Sequence, residues 1–411
     1  MTQRYNTYKD SGVQWLGEIP GHWGCVFINR LFNIKAGGDV KPELYADKKD
    51  ENHPFPVYTN TKSADDVYAY TSLATCPSNS ITVTGRGEVG HAIFRETPYD
   101  AIVRLLSLTP KSNIICKFYA YFIDTVIPFS SDSAAIGQLS AVQIKQKHVT
   151  LPPLSEQRSI VSFLDAKCGK IDEWVTKKQK EVEHLQELKQ RVIADAVTRG
   201  LNPHVKMKAT NIPWLKEIPE HWECVKLKMF CQDNKEKNKG NIESCVLSLS
   251  YGNIIVKKNV NFGLVPENYD SYQIVNPGNI ILRLTDLQND HKSLRTGLVK
   301  NRGIITSAYV GLIVKNMNSE YTQLILHSYD VMKVFYGMGG GLRQSMSYTD
   351  IANVYIPVPP LSEQKQIVSY FDAKTSQIDK LIAHITKEIE CIKEYKQRLI
   401  SEVVTGQIKV C

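Results

Sequence analysis

Residues 152–157 read Pro152-Pro153-Leu154-Ser155-Glu156-Gln157, and residues 359–364 read Pro359-Pro360-Leu361-Ser362-Glu363-Gln364. The likeness extends well past the hexapeptide. Downstream, Asp165-Ala166-Lys167 returns as Asp372-Ala373-Lys374, Ile171-Asp172 as Ile378-Asp379, and Lys189-Gln190-Arg191 as Lys396-Gln397-Arg398. Upstream, Trp15-Leu16-Gly17-Glu18-Ile19-Pro20 with His22-Trp23 returns as Trp214-Leu215-Lys216-Glu217-Ile218-Pro219 with His221-Trp222. Self-similarity over about 200 residues marks a duplicated domain, not a solenoid of short repeats.

Each hexapeptide opens a helical pattern. In the second copy Phe371, Ile378, Ile385, Ile392 and Leu399 recur every seventh residue, with Ile382, Ile389 and Val403 between them. In the first copy Leu164, Ile171, Val175, Val182, Leu185 and Val192 keep the same frame, interrupted by Lys178. Such a stripe is a coiled-coil seam, and each helix of about 40 residues spans about 60 Å. The Pro-Pro pairs end the strand structure before it. Ser155 and Ser362 are the expected N-caps, with Glu156 and Glu363 favoured beside the positive helix end. Alone, the stripe fits a homo-oligomeric coiled coil. Two such helices in one chain also suit each other, and the polar, Pro-containing stretch 197–214 permits an antiparallel return.

Between the repeated strings the halves look unrelated. Runs such as Ile81-Thr82-Val83-Thr84-Gly85 and Asn279-Ile280-Ile281-Leu282 are short, β-branched and bounded by turn residues, so residues 24–150 and 223–357 read as mixed α/β with much strand. A repeated frame with differing contents suits a protein whose frame binds like partners and whose contents read unlike targets.

The bulk numbers agree. A chain of 411 residues holds two to four domains, and 42% hydrophobic with 22% charged residues supports a buried core. The net charge of +8 leans toward a polyanionic partner. Nine scattered cysteines, without a CxxC pair, fit a reducing compartment and no zinc site. The polar start and the lack of an apolar run of about 18 residues lead us to expect a cytoplasmic protein without a membrane span.

Catalytic motifs are missing. Leu151 and Val358 precede the Pro-Pro pairs, so neither forms the Asn/Asp-Pro-Pro-aromatic box of an amino-methyltransferase. GxxxxGK[ST], HExxH and GxSxG do not occur. Gly85-Arg86-Gly87-Glu88-Val89-Gly90 fits GxGxxG but lacks the strand–helix setting and acidic partner of a dinucleotide site. Asp286 and Asp290 fit a nuclease no better than chance among 42 acidic residues. The expectation is a binding protein with no catalytic residue, metal or cofactor of its own.

With the paired WLGEIPGHW/WLKEIPEHW strings, the paired PPLSEQ strings and the helix ends LKQRVIADAVTRG and YKQRLISEVVTG, the chain resembles the specificity subunit of Type I restriction–modification systems over essentially its whole length. The resemblance implies an α+β protein with two target recognition domains joined by two long helices packed as an antiparallel coiled coil, with pseudo-two-fold duplication. Each domain then reads one half of a split, asymmetric site in double-stranded DNA, and the helices set the gap. It also implies docking of two copies of an adenine methyltransferase subunit, joined by a restriction/translocase subunit, with S-adenosylmethionine, ATP and magnesium on those partners. The expected divisions are 1–153, first recognition domain; 154–200, first helix; 201–213, linker; 214–358, second recognition domain; and 359–411, second helix. Pro152, Pro153, Leu154, Leu164, Ile171, Val175, Pro359, Pro360, Leu361, Phe371, Ile378 and Ile385 are the expected docking and helix-pair frame. Rival readings are a degenerate homologue that binds the methyltransferase without a productive target, a stand-alone enzyme, and a coiled-coil scaffold.

Candidate DNA contacts come from residue chemistry. Arg86, and Arg343 with Gln344, lie in Gly-flanked loops where backbone approaches phosphate and arginine pairs with guanine. Gln288, Asn289, Lys292 and Arg295 sit in a stretch rich in amides and bases, suited to adenine and phosphate. Lys62, in Thr59-Asn60-Thr61-Lys62, is a weaker candidate, as are Lys177, Lys178, Lys180 and Lys189 on the first helix. Trp15, Trp23, Trp214 and Trp222 belong to the shared frame and read as packing anchors.

Overall fold

Two long helices leave the Pro-Pro pairs, Leu154–Arg199 of 46 residues and Leu361–Val404 of 44. At 1.5 Å per residue each runs about 65–70 Å. The computed structural model describes residues 3–129, 138–257, 268–287, 294–338 and 345–410. Each helix starts earlier than the serine-cap expectation. The Gln157 amide donates to the Pro153 carbonyl at 3.0 Å, and the Gln364 amide to the Pro360 carbonyl at 3.0 Å. Ser155 and Ser362 therefore lie inside the first turn, and Pro153 and Pro360 take the cap position, where their missing N–H costs no helical hydrogen bond.

The chain folds as two units, residues 1–179 with 387–411, and residues 180–386. Each unit takes the beginning of one long helix and the end of the other. In the first, Ile160, Leu164 and Cys168 share a buried core with Leu399, Ile400, Val403 and Val404, and Lys396 Nζ lies 2.6 Å from Asp172. Advance along one helix meets retreat along the other, so the pair is antiparallel. In the second, Ile193, Ala196 and Val197 share a core with Ile367, and Lys189 Nζ lies 2.7 Å from Asp379. The two ion pairs occupy equivalent places in the repeat. Being exposed, each contributes only about 0–1 kcal/mol. Buried seam residues such as Leu164, Val175, Ile385 and Ile389 contribute about 1.5–3 kcal/mol each.

In the first unit, Gly24–Phe27 pairs antiparallel with His148–Leu151, which joins the chain after Trp23 to the chain before Pro152. A four-stranded antiparallel sheet follows, in the order Phe32–Ala36, Leu106–Pro110, Ser80–Val83, Ala92–Arg95. The helix Cys116–Thr125 packs on it through Phe118, Tyr119, Phe122 and Ile123. A second sheet is ordered Asp100–Ala101, Phe55–Tyr58, Ala69–Thr71, Tyr45–Ala46.

The second unit repeats the closure, with Glu223–Lys226 paired to Tyr355–Val358. Its main sheet is ordered Cys231–Asp233, Val310–Val314, Ile280–Leu282, Thr296–Leu298, under the helix Ser319–Val331. That is the strand order of the first unit's main sheet. The segments that look unrelated as sequence thus share a framework and differ in what is added to it. Here the additions are a hairpin, Leu247–Ser250 with Asn253–Val256, and a strand pair, Gln273–Val275 with Gly303–Ile305. Part of the expected linker is also ordered differently. Met207–Ile212 is a strand on Leu215–Pro219, the counterpart of Tyr8–Asp10 on Glu18–Pro20.

Candidate nucleic-acid interface

The repeated strings explain themselves at the helix starts. Trp23 and Trp222 are fully buried. Their indole N–H groups donate to Glu156 at 3.0 Å and to Glu363 at 3.1 Å. His22 and His221 meet the same carboxylates at 2.6 and 2.9 Å. The Tyr5 hydroxyl adds a third bond to Glu156, at 2.7 Å. Burial alone would raise the Glu156 carboxyl, but its donors Tyr5, His22 and Trp23 outweigh it and hold the group below the usual range. Gln157 and Gln364 act alike: each amide nitrogen donates to the first proline carbonyl of its pair, and each amide oxygen accepts a backbone N–H, from Ile115 at 3.0 Å and Asn318 at 2.9 Å. The hexapeptide is a fastening between recognition domain and helix.

The helices also end on these tryptophans. Gly200 and Gly406 both adopt positive φ just past a helix C-terminus, as a left-handed cap requires. A β-carbon there would lie 3.1 Å from Trp222 and from Trp23, respectively. The close approach as well as the backbone angle selects glycine.

Among the frame residues, Pro152, Leu164, Val175, Pro359 and Ile385 are buried, and Leu154, Ile171, Phe371 and Ile378 half-buried, while Pro153, Pro360 and Leu361 are exposed. Residues of the buried seam hold the helices together and have no surface left for another protein. A different set lies off the seam, with Phe163 and Trp174 half-buried and the others exposed. Phe163, Trp174 and Tyr395 in the first unit correspond in the repeat to Tyr370, Leu381 and Leu188 in the second. Leu188, Tyr370, Leu381 and Tyr395 are 47, 38, 43 and 53% exposed. Lys167 lies over the Phe163 ring and Lys374 over Tyr370, each at 5.9 Å. Sequence reading missed these residues because they fall off the heptad stripe, although their recurrence in the repeat was visible.

Among the DNA candidates, Lys62 and Arg86 come together. Asn60 accepts the Gly85 and Arg86 amides at 2.7 and 3.2 Å and donates to the Val103 carbonyl at 2.8 Å, so the 59–62 and 85–91 loops form one platform. Lys62 pairs with Glu88, both exposed. His91 bridges the Lys62 carbonyl at 2.8 Å and Asp124 at 2.5 Å. The Asp124 hydrogen bond raises the His91 pKa above its ordinary value, against the opposing effect of burial.

Arg295 is a correction. It is fully buried, donating to the carbonyls of Arg283, Thr285 and Asp286 at 3.0, 2.8 and 3.2 Å and to the Tyr336 hydroxyl at 3.1 Å. Its guanidinium organises the 283–286 turn and is not presented to a ligand. Lys189 is likewise engaged, with Asp379. Gln288, Asn289, Lys292, Arg343 and Gln344 lie outside the described residues. Among the described residues no cluster of His, Cys, Asp and Glu is arranged to hold a metal, and no helix is long and apolar enough to cross a membrane.

A family model described as the Type I restriction modification DNA specificity domain matches residues 20–184 and again 219–391. Two specificity subunits of Methanocaldococcus jannaschii are similar. The MjaVIII subunit is 25% identical over 95% of this chain and 94% of its own length, and the MjaX subunit is 27% identical over 75% and 72%. The fold matches a chain solved in work on complex assembly and conformational transition of the type I R-M system, with TM-score 0.68, 13% identity, and coverage of 94% of this chain and 98% of that one. The HsdS subunit from Thermoanaerobacter tengcongensis gives TM-score 0.50 at 14% identity, with coverage of 95% and 98%.

Proposed function

Because the chain belongs to the type I restriction–modification DNA specificity family, we propose that it is the subunit that chooses the DNA target for a methyltransferase and nuclease without itself carrying out chemistry. Each recognition domain reads one half of a split, asymmetric site. The long helices set the gap between the halves, and the off-seam residues Phe163, Trp174 and Tyr395, with Tyr370, Leu381 and Leu188, receive two copies of an adenine methyltransferase. A restriction/translocase subunit joins that core in the cytoplasm. S-adenosylmethionine, ATP and magnesium are used by the partners.

One observation carries the reading. The tryptophan and histidine bonds that fasten domain to helix are duplicated at Glu156 and Glu363, while the loops and hairpins beyond them differ. Like frames bind like partners, and unlike loops break the symmetry toward DNA. The test is an adenine-methylation map in a methylation-free host, comparing the methyltransferase alone with the methyltransferase plus this chain. A new split, asymmetric motif that needs this chain supports the reading. A stable complex with no new methylation favours the degenerate homologue.

A further inference from the structure

The hairpin Leu247–Ser250/Asn253–Val256 closes through two residues, with Ser250 opposite Asn253. Both loop residues have positive φ, Tyr251 at 46° and Gly252 at 77°, as in a type I′ turn. Asn, Asp and Gly dominate such positions because a β-carbon crowds the backbone there. Tyr251 nevertheless holds the first, and it is 87% exposed. Among the described residues its ring stacks on no aromatic or cationic group and its hydroxyl makes no hydrogen bond. Neither turn geometry nor packing accounts for an aromatic ring at this point. Backbone strain retained at an exposed position points to function.

One face of the ribbon is held against the domain right up to the turn. Leu249 and Ile254 form a cross-strand pair over Gly297, where a β-carbon would meet them at 2.7 and 2.9 Å. Gly252 turns against Leu294, next to the buried Arg295 that fixes the 283–286 turn. On the other face of the ribbon, strand alternation places Ser248, Ser250, Asn253 and Ile255. Asn253 and Ile255 are exposed, the serines half-buried, and the exposed Lys257 follows.

We propose that this ribbon enters the major groove of duplex DNA and that Tyr251 is a specificity-determining contact of the second recognition domain. The inference rests on the DNA-recognition reading above. The major groove admits a two-stranded ribbon. A rigid tip presents the ring to base faces or thymine methyls and the hydroxyl to a base edge or phosphate. Ser250 and Asn253 supply hydrogen bonds beside it, and Lys257 meets the backbone.

The test is Tyr251→Asn in the full chain assembled with its methyltransferase, because asparagine fits the left-handed turn. The melting temperature should hold or rise. Affinity for a duplex carrying the mapped site should fall about 5- to 100-fold, and the methylation map should relax in one half-site only. Unchanged affinity and motif would overturn the proposal, as would a lower melting temperature or relaxation of both half-sites alike. If the wild-type complex methylates no split motif, the DNA-recognition reading itself fails, and that failure is visible without the variant.

Discussion

Replacing Glu156 by alanine removes an acceptor shared by Tyr5, His22 and Trp23. The indole N–H of Trp23 is then buried without a partner, which costs about 1–3 kcal/mol. Tyr5 and His22 are partly exposed and regain water, losing about 0.5–1 kcal/mol each. The sum is about 2–5 kcal/mol, falling on the first unit. Glu363→Ala orphans Trp222 in the same way but loses one donor fewer, since His221 and Trp222 are its side-chain donors, so it should cost about 1 kcal/mol less. Glu156→Gln keeps an acceptor for the indole and loses the charge, at about 1–2 kcal/mol. Calorimetry is the appropriate assay, because two units need not melt as one. For a unit of this size 1 kcal/mol moves the midpoint about 2–4 °C, so Glu156→Ala should lower one transition by about 4–20 °C. Acid adds a second check. The folded Glu156 pKa is depressed, so its contribution is full above the unfolded value and is lost as pH falls through the folded one. The gap between wild type and Glu156→Gln should therefore narrow on acidification. The reasoning fails if Glu156→Ala costs no more than Glu363→Ala, or if neither shifts a transition by more than about 1 °C.

Removing one heptad from each long helix, in register, shortens each by about 10 Å, equivalent to about three base pairs at 3.4 Å per step. A methylation map should show a shorter spacer with both half-sequences intact, and an unchanged gap would refute helical spacing. Exchanging residues 223–357 for another recognition domain should change one half-site and leave the other; changes in both would contradict independent readers. The raised His91 pKa predicts a pH-dependent platform. Its pairing with Asp124 is fully present below the unfolded value and is lost as pH rises through the folded one. Hydrogen exchange at Gly90 and Ala92 should thus separate wild type from His91→Gln at acid pH and converge at alkaline pH, and a pH-independent gap would count against the ion pair.

Much of the frame was legible as sequence because its signals are periodic or repeated. Ile385 and Ile389 were marked for burial by spacing, and both are buried. The roles of Glu156 and Gln157 were not legible, because their partners, Trp23 and Ile115, come from distant parts of the chain and residue type does not reveal them. Proximity to the helix start suggested a local cap at Ser155, whereas Pro153 takes the cap position and the helix begins at Leu154. Arg295 failed as a DNA candidate for a related reason: an arginine in a polar stretch reads as exposed until the carbonyls of 283–286 are found around it. Tyr251 went unnoticed because Ser-Tyr-Gly-Asn lacks the Asn-Gly or Asp-Gly pair that usually announces a two-residue hairpin.

The first unit cannot finish until the last helical turns exist. Leu399, Ile400, Val403 and Val404 complete the core around Trp23, Ile160 and Leu164, and the Lys409 amide closes on the Gln3 carbonyl at 2.7 Å. The second unit is built from the contiguous residues 180–386. During synthesis the unit begun first is therefore the one closed last. At about 5–20 residues per second the wait after residue 179 is roughly 10–45 seconds. Through that interval the nascent first unit holds an unfilled apolar seam, the kind of surface chaperones bind and proteases attack. A ribosome that stops near residue 386 leaves a second unit with its sequence complete and a first unit open along the helix it was waiting for.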